Sequence, residues 1–224
     1  MTAPAAPAIA PIFATPFAVV PLAEMAPLHA ALQPLFASRA ADSYRDPDMP
    51  RDPLCFRGRE DLFEWQSEPV EELRRRLLAG ICGAVMGANA YTETEFDALR
   101  IQARARLTIV HPDGCVPASS APMASWSACY CVAAPSSASG RPGSGALRLY
   151  AVRDGTMFID AANWRLREPF SRTHYLWAPV PGRMAVFPAA LVHEIALNRT
   201  REDLVLVTVR VRFAHAGQVA LPPW

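Results

Sequence analysis

His111-Pro112-Asp113 sets an imidazole and a carboxylate two residues apart, just past an alternating run that reads as a strand. Imidazole nitrogen and carboxylate oxygen suit first-row divalent metals. Two histidines and one carboxylate on one side of such an ion leave the other side open for reactants. The same residues have a plainer reading, because Pro112-Asp113-Gly114 is ordinary turn chemistry. A second histidine, His193, precedes Glu194 in a strand-like run. The two point to opposite faces, so Glu194 is a poor partner for it, and His193 alone could serve as an acid–base group. Cys129 and Cys131 share one strand face, either as small buried hydrophobes or as a metal or redox pair. Leu204, Leu206, Thr208, Arg210 and Arg212 alternate with Val205, Val207, Val209 and Val211. The valine face is core. The arginine face looks either into a barrel or into water.

The rest of the chain must position these groups. It has 224 residues, 51% hydrophobic and 19% charged, with a formal net charge of +1. That supplies one packed core and gives no electrostatic footprint for nucleic acid. Five cysteines, an odd number, argue against a disulfide framework. Met1 to Val20 is rich in Ala and Pro, lacks a basic start and is broken by Pro4, Pro7, Pro11 and Pro16, unlike a signal peptide. No apolar run reaches the roughly 18 residues of a membrane span. The expected location is therefore cytoplasmic, with no membrane partner.

Helical spacing runs through Leu22, Met25, Leu28, Leu32 and Leu35, with Pro27 and Pro34 as interruptions. Residues 41–60 read as loop. A stronger helix follows Ser67 as cap, with Pro69 in its first turn, Glu71 and Glu72 at its positive end, and a stripe of Val70, Leu73, Leu77, Ile81 and Val85. From residue 98 the period becomes two. Arg104, Arg106 and Thr108 alternate with Ala105, Leu107 and Ile109. Short strands follow at Trp126 to Ala133, Ala146 to Val152, Met157 to Ile159, Arg183 to Phe187, His193 to Leu197 and Leu204 to Phe213. Many short strands with frequent turns indicate a barrel or sandwich. The loops at 112–125 and 135–145 are rich in Ser, Gly and Pro.

The order of segments resembles a family of small 2-oxoglutarate/Fe(II)-dependent oxygenases over nearly the whole chain. Ile12-Phe13-Ala14-Thr15-Pro16-Phe17 is similar to that family's entry strand. Asp61-Leu62 and Trp65-Gln66-Ser67 precede the second helix as they do there. Trp126-Ser127-Ala128-Cys129-Tyr130-Cys131-Val132 resembles its SGVYYV strand, and Ser144 to Leu149 its SGxLxF strand. The most specific stretch is Pro181 to Ile195, similar to PGxLxLFPSWLxHxV.

The resemblance implies an α+β, mainly β fold: a double-stranded β-helix (jelly-roll) core with N-terminal helices packed on one side. One domain would span 1–224, with a tail at 1–11, entry strand and helices at 12–97 and the core at 98–215. It implies Fe(II) and 2-oxoglutarate as cofactors, oxidation of a C–H bond, and a small-molecule or peptide substrate. A homodimer is compatible with it. His193 falls on the family's distal metal ligand. The family's H-x-H pair falls on Ser119 and Ala121, and its 2-oxoglutarate arginine on Leu204, three departures. His111 and Asp113 could replace the pair, since H-x-D is the commoner form in the wider superfamily. Arg210 or Arg212 could replace the arginine, and Tyr130 could add a hydroxyl. The metal set would then be His111, Asp113 and His193. The other reading keeps the β-helix without iron, as a ligand binder or a non-oxidative isomerase or cyclase using His193. The loops at 112–125 and 135–145 would border the mouth, and Arg172 to Trp177 would be a lid, an interface or core.

Overall fold

The computed structural model describes residues 14–136, 141–151, 174–215 and 224. The N-terminal tail, the expected strand Met157 to Ile159, Ile12-Phe13 of the entry motif and Arg172 lie outside the described residues.

Two strands, β3 (Leu99–Val110) and β10 (Leu204–His215), form the spine. They pair antiparallel along their whole length, with Leu204 opposite Val110 and His215 opposite Leu99. They are joined in a six-stranded sheet by β1 (Ala18–Pro21), β2 (Cys55–Arg57), β5 (Trp126–Ala133) and β8 (Arg183–Pro188), in the order β1-β8-β5-β10-β3-β2. The smaller sheet contains β4 (Val116–Ser119), β6 (Leu147–Tyr150), β7 (His174–Trp177) and β9 (His193–Ile195), in the order β4-β9-β6-β7. From β3 onward the chain passes back and forth between the two sheets. This is the double-stranded β-helix, with two closed antiparallel layers protecting most edges.

Alternation on the large sheet separates two cores. Leu204, Leu206, Cys129, Cys131, Ala185 and Phe187 face inward and meet Leu147, Leu149 and Ile195 of the small sheet. Val207, Val209, Val211, Ala128, Tyr130 and Val132 face outward and meet the helices. Cys129 and Cys131 are thus small apolar groups of the interior, and burial pushes the Cys129 thiol up to about 12.

The outer face is covered by α1 (Ala26–Arg39) and α2 (Glu68–Gly87). The stripe Val70, Leu73, Leu77, Ile81 and Val85 of α2 is buried there, as its spacing requires. Ser67 stands at its N-cap, but its carbonyl does the work: it accepts from the Val70 and Glu71 N–H groups, and the side chain makes no cap bond. Helix α1 is unbroken. Pro27 sits in the first turn and Pro34 inside, a placement that costs about 3 kcal/mol in isolation. Burial of Leu32 and Phe36, the latter edge-on to Trp65, opposes that cost. No helix among the described residues is long and apolar enough to cross a membrane.

Three strands and one α-helix lie where neither was expected, β7 among them, in the segment read as a lid, an interface or core. Strand β2 falls in the segment 41–60 and β4 in the loop 112–125. The short helix α3 (Glu93–Asp97) begins with a capping box between Thr92 and Glu95.

Candidate functional site

His193 opens β9 and shares its face with Ile195, which is in the interior core. Its ring stands edge-on to Phe187, centroids 4.9 Å apart. Its Nδ1 lies 2.9 Å from the Leu191 carbonyl. A carbonyl only accepts, so Nδ1 carries the proton and Nε2 keeps its lone pair. Burial holds the imidazole below its ordinary pKa, the Leu191 carbonyl opposes that, and the positive field of Arg57 adds to it. His193 is therefore a neutral base at pH 7. Glu194 points to the other face, where it pairs with Arg148 at 2.6 Å.

Among the described residues, His111 and Asp113 are not brought together with His193. His111 Nδ1 is 2.8 Å from a carboxylate oxygen of Asp203, in a pair more than a third exposed on both sides. Asp113 is exposed with φ of 60°, and its N–H donates to the Asn198 carbonyl at 2.7 Å. The turn reading prevails for a local reason. The Asn198 amide donates to the carbonyls of Val110 and Glu202, and its backbone N–H donates to Gly114 O. Gly114 presses so close to Leu54 that a Cβ there would meet the Leu54 carbonyl oxygen at 2.0 Å. This knot ties the His111–Gly114 turn to the strand crossover beyond the far end of β9, away from His193.

The residues near His193 are those on which the sequence resemblance places an H-x-H pair. Ser119 stands opposite His193 across the β4–β9 ladder, and the Ala121 N–H donates to Ala189 O. One imidazole, an exposed serine and a buried alanine do not make an iron site. Among the described residues, no group of three or more His, Cys, Asp or Glu is placed to hold a metal ion. The donor set of the described residues does not fit iron.

The 2-oxoglutarate anchors fare similarly. Leu204 is fully buried in the interior core, where its side chain can only pack. Tyr130 lies on the opposite face of β5, among the helices. There its hydroxyl meets His29 Nε2 at 2.6 Å, so it is no cofactor ligand. Arg212 is bonded to Gln102 and stacked over the Trp224 ring at 4.0 Å. Arg210 does face inward, opposite Ser127 and Arg104, but its guanidinium is ion-paired with Glu60.

Arg210 belongs to a charged cluster that sequence reasoning missed. The inward faces of β2, β3, β5 and β10 turn polar toward one end of the barrel, with Arg57, Arg106, Thr108, Ser127, Thr208 and Arg210. Glu60 binds Arg106 at 2.6 Å as well as Arg210, and Asp46 lies 3.3 Å from Arg106. Arg57 shares its face with the interior Cys55, while Phe56 between them packs outward. Its Nε is buried and has no hydrogen-bond partner. Burial, and then the neighbouring charge of Arg106, lower the pKa of Arg57. The available signals were the Asp/Arg density of 41–60 and the Arg104-Arg106-Thr108 alternation. The first read as loop and the second as one side of a half-buried strand.

No protein-family model matches the chain, and no curated protein does. Solved structures do. A Pseudomonas putida prolyl 4-hydroxylase is 15% identical, with 91% of this chain and 94% of that one covered at a TM-score of 0.55. The non-heme α-ketoglutarate-dependent carbocyclase SnoK of nogalamycin biosynthesis is 9% identical, with coverage of 88% and 79% and a TM-score of 0.60. HygX from Streptomyces hygroscopicus, solved with nickel and 2-oxoglutarate bound, is 14% identical, with coverage of 88% and 82% and a TM-score of 0.55. At such identities the likeness is one of fold.

Proposed function

We propose that this protein uses the oxygenase β-helix without iron, binding a small molecule at the polar end of the barrel with His193 as its neutral base. The observation that carries this is the residue pair facing and following the metal-side strand: Ser119 opposite His193, with Ala121 two residues on. Neither side chain can complete a facial set, and the H-x-D of the sequence is engaged elsewhere. What remains is an imidazole with a fixed tautomer beside an aromatic ring, fit to take a proton from a bound ligand or to accept a hydrogen bond from it. Such a site suits binding, or a non-oxidative isomerisation or cyclisation.

The second reading, an Fe(II)/2-oxoglutarate oxygenase acting on a C–H bond, is favoured by the fold likeness to proteins named for that chemistry. It requires two ligands beyond His193. One experiment separates the two. Protein purified anaerobically is mixed with Fe(II) and 2-oxoglutarate, and both bound iron and the weak visible charge-transfer band are measured. The expected result is no stoichiometric iron and no band. Stoichiometric iron that is lost in His193→Ala would establish the oxygenase instead.

A further inference from the structure

Strand β3 uses its two edges unequally. One edge pairs with β10 from Leu99 to Val110. On the other, β2 covers Thr108 to Val110, the Gly58 N–H donates to the Leu107 carbonyl, and Asp61 bridges Ala105. From Leu99 to Ala103 no strand among the described residues lies against that second edge. Backbone groups alternate between the two edges of an antiparallel strand, and the Leu107 carbonyl points to the β2 side. Leu99, Ile101 and Ala103 therefore turn their N–H and C=O groups to the open edge. Their side chains lie on the helix side of the sheet, where Leu99 and Ala103 pack on the outer core. Ile101 is 38% exposed. With Cys82, Met86, Phe96 and Leu99 it lines a cleft of about 240 Å³ that is apolar but for Asp97.

An open edge beside an apolar cleft is a template for a further strand. We propose that this strand is β3 of a second copy of the chain, paired antiparallel about a two-fold axis through Ile101. Ile101 then meets Ile101 and Leu99 meets Ala103, so edge-facing groups oppose edge-facing groups and each pair exchanges both backbone hydrogen bonds. The axis stands perpendicular to the sheet, which keeps the helix sides of both copies together and sets the apolar side chains of each beside the cleft of the other. On the opposite face, Arg100 stands across from Gln102, both exposed. Arg104 falls opposite Ala98, the C-cap of α3, next in the chain to the carboxylate of Asp97. The neighbouring registers are charged against themselves. An axis through Arg100 sets Arg100 against Arg100, and one through Gln102 sets Arg100 against Arg104. Like charges directly opposite destabilise a sheet, so the register centred on Ile101 is preferred to both. Pairing over Leu99–Ala103 alone makes a small interface, and the dimer is weak, with a Kd on the order of micromolar. The proposal is independent of the chemistry inside the barrel.

The test is sedimentation velocity of the full chain from about 1 to 200 μM, a range that brackets a micromolar Kd. The mean mass should rise with concentration from 24.4 kDa toward twice that value. Ile101→Lys should keep the parent Tm and stay monomeric throughout, because it brings two ammonium groups together at the axis. Gln102→Glu keeps an acceptor for Arg212 and sets a carboxylate opposite Arg100 on both sides of the axis. It should tighten the dimer about three- to tenfold. Were the axis at Gln102, the same change would oppose two carboxylates and loosen the dimer. The proposal is overturned by a parent that stays monomeric at every concentration, which would leave the edge to some other occupant. It is equally overturned by a dimer that survives Ile101→Lys, or by one that Gln102→Glu loosens or leaves unchanged. Should Ile101→Lys melt below the parent, the Gln102→Glu comparison decides.

Discussion

Ser119 faces His193 across the ladder between β4 and β9. That pairing places Ser119 within one strand spacing of the imidazole, and Ala121 two residues further on. The double substitution Ser119→His with Ala121→Asp should therefore create a divalent-metal site. Cobalt(II) titration should show d–d absorption in the double variant, none in the parent, and none once His193→Ala is added. A folded double variant that stays colourless would mean the register is not as described.

The His111–Asp203 pair should matter little. Both side chains are more than a third exposed, and exposed pairs contribute about 0 to 1 kcal/mol. His111→Ala should change the urea midpoint only slightly. A large loss of stability would give His111 a role that its surroundings do not suggest.

Glu60 is a different matter. It is mostly buried and holds two guanidinium groups, one of them on Arg106, which is 7% exposed. Glu60→Gln leaves that cluster with three cations and one carboxylate. It should destabilise the fold by about 3–5 kcal/mol in denaturant titrations, as breaking a buried pair does. Adding Arg106→Met should recover part of the loss, because the unpaired charge leaves with it.

His29 joins α1 to the sheet through the Tyr130 hydroxyl, and burial holds its pKa below the ordinary 6.5. In the unfolded chain it takes up a proton near 6.5, whereas in the folded chain this happens only at lower pH. The stability it contributes is thus complete above about pH 6.5 and declines as pH falls below that value. His29→Gln, which keeps an acceptor for Tyr130, should flatten this decline. His193, also lowered by burial, should leave a residual slope. A variant whose stability falls with acid as steeply as the parent's would remove His29 from the account.

The fold was legible because each level of the sequence agreed. The period-two runs are β3, β5, β8 and β10, and the Val70-to-Val85 stripe is buried as spaced. What spacing could not reveal was which of two chemically equal partners a residue meets. His111-Pro112-Asp113 reads the same whether it binds metal or closes a turn. The turn is held by the side-chain amide of Asn198 and the backbone of Leu54, both remote in the chain, so the local pattern does not display it. That Tyr130 lies on the helix-facing side was not legible, because a core strand has two buried faces here and alternation does not say which one is the barrel. Arg57 was missed because β2 has three residues, too few to display a period. Pro34 counted against an unbroken helix, since the contacts of Leu32 and Phe36 that oppose it lie on other elements.

Along the inner side of β10 the chain passes from Leu204 and Leu206 through Thr208 to Arg210. A two-residue slip against β3 and β5 would keep every side chain on its proper face, so the in–out pattern alone cannot forbid it. The slip would, however, draw an arginine toward the leucine layer, or lift a leucine into the company of Glu60. The gradient from oil to charge thus works as a ruler, fixing how far the last strand travels when it closes the barrel.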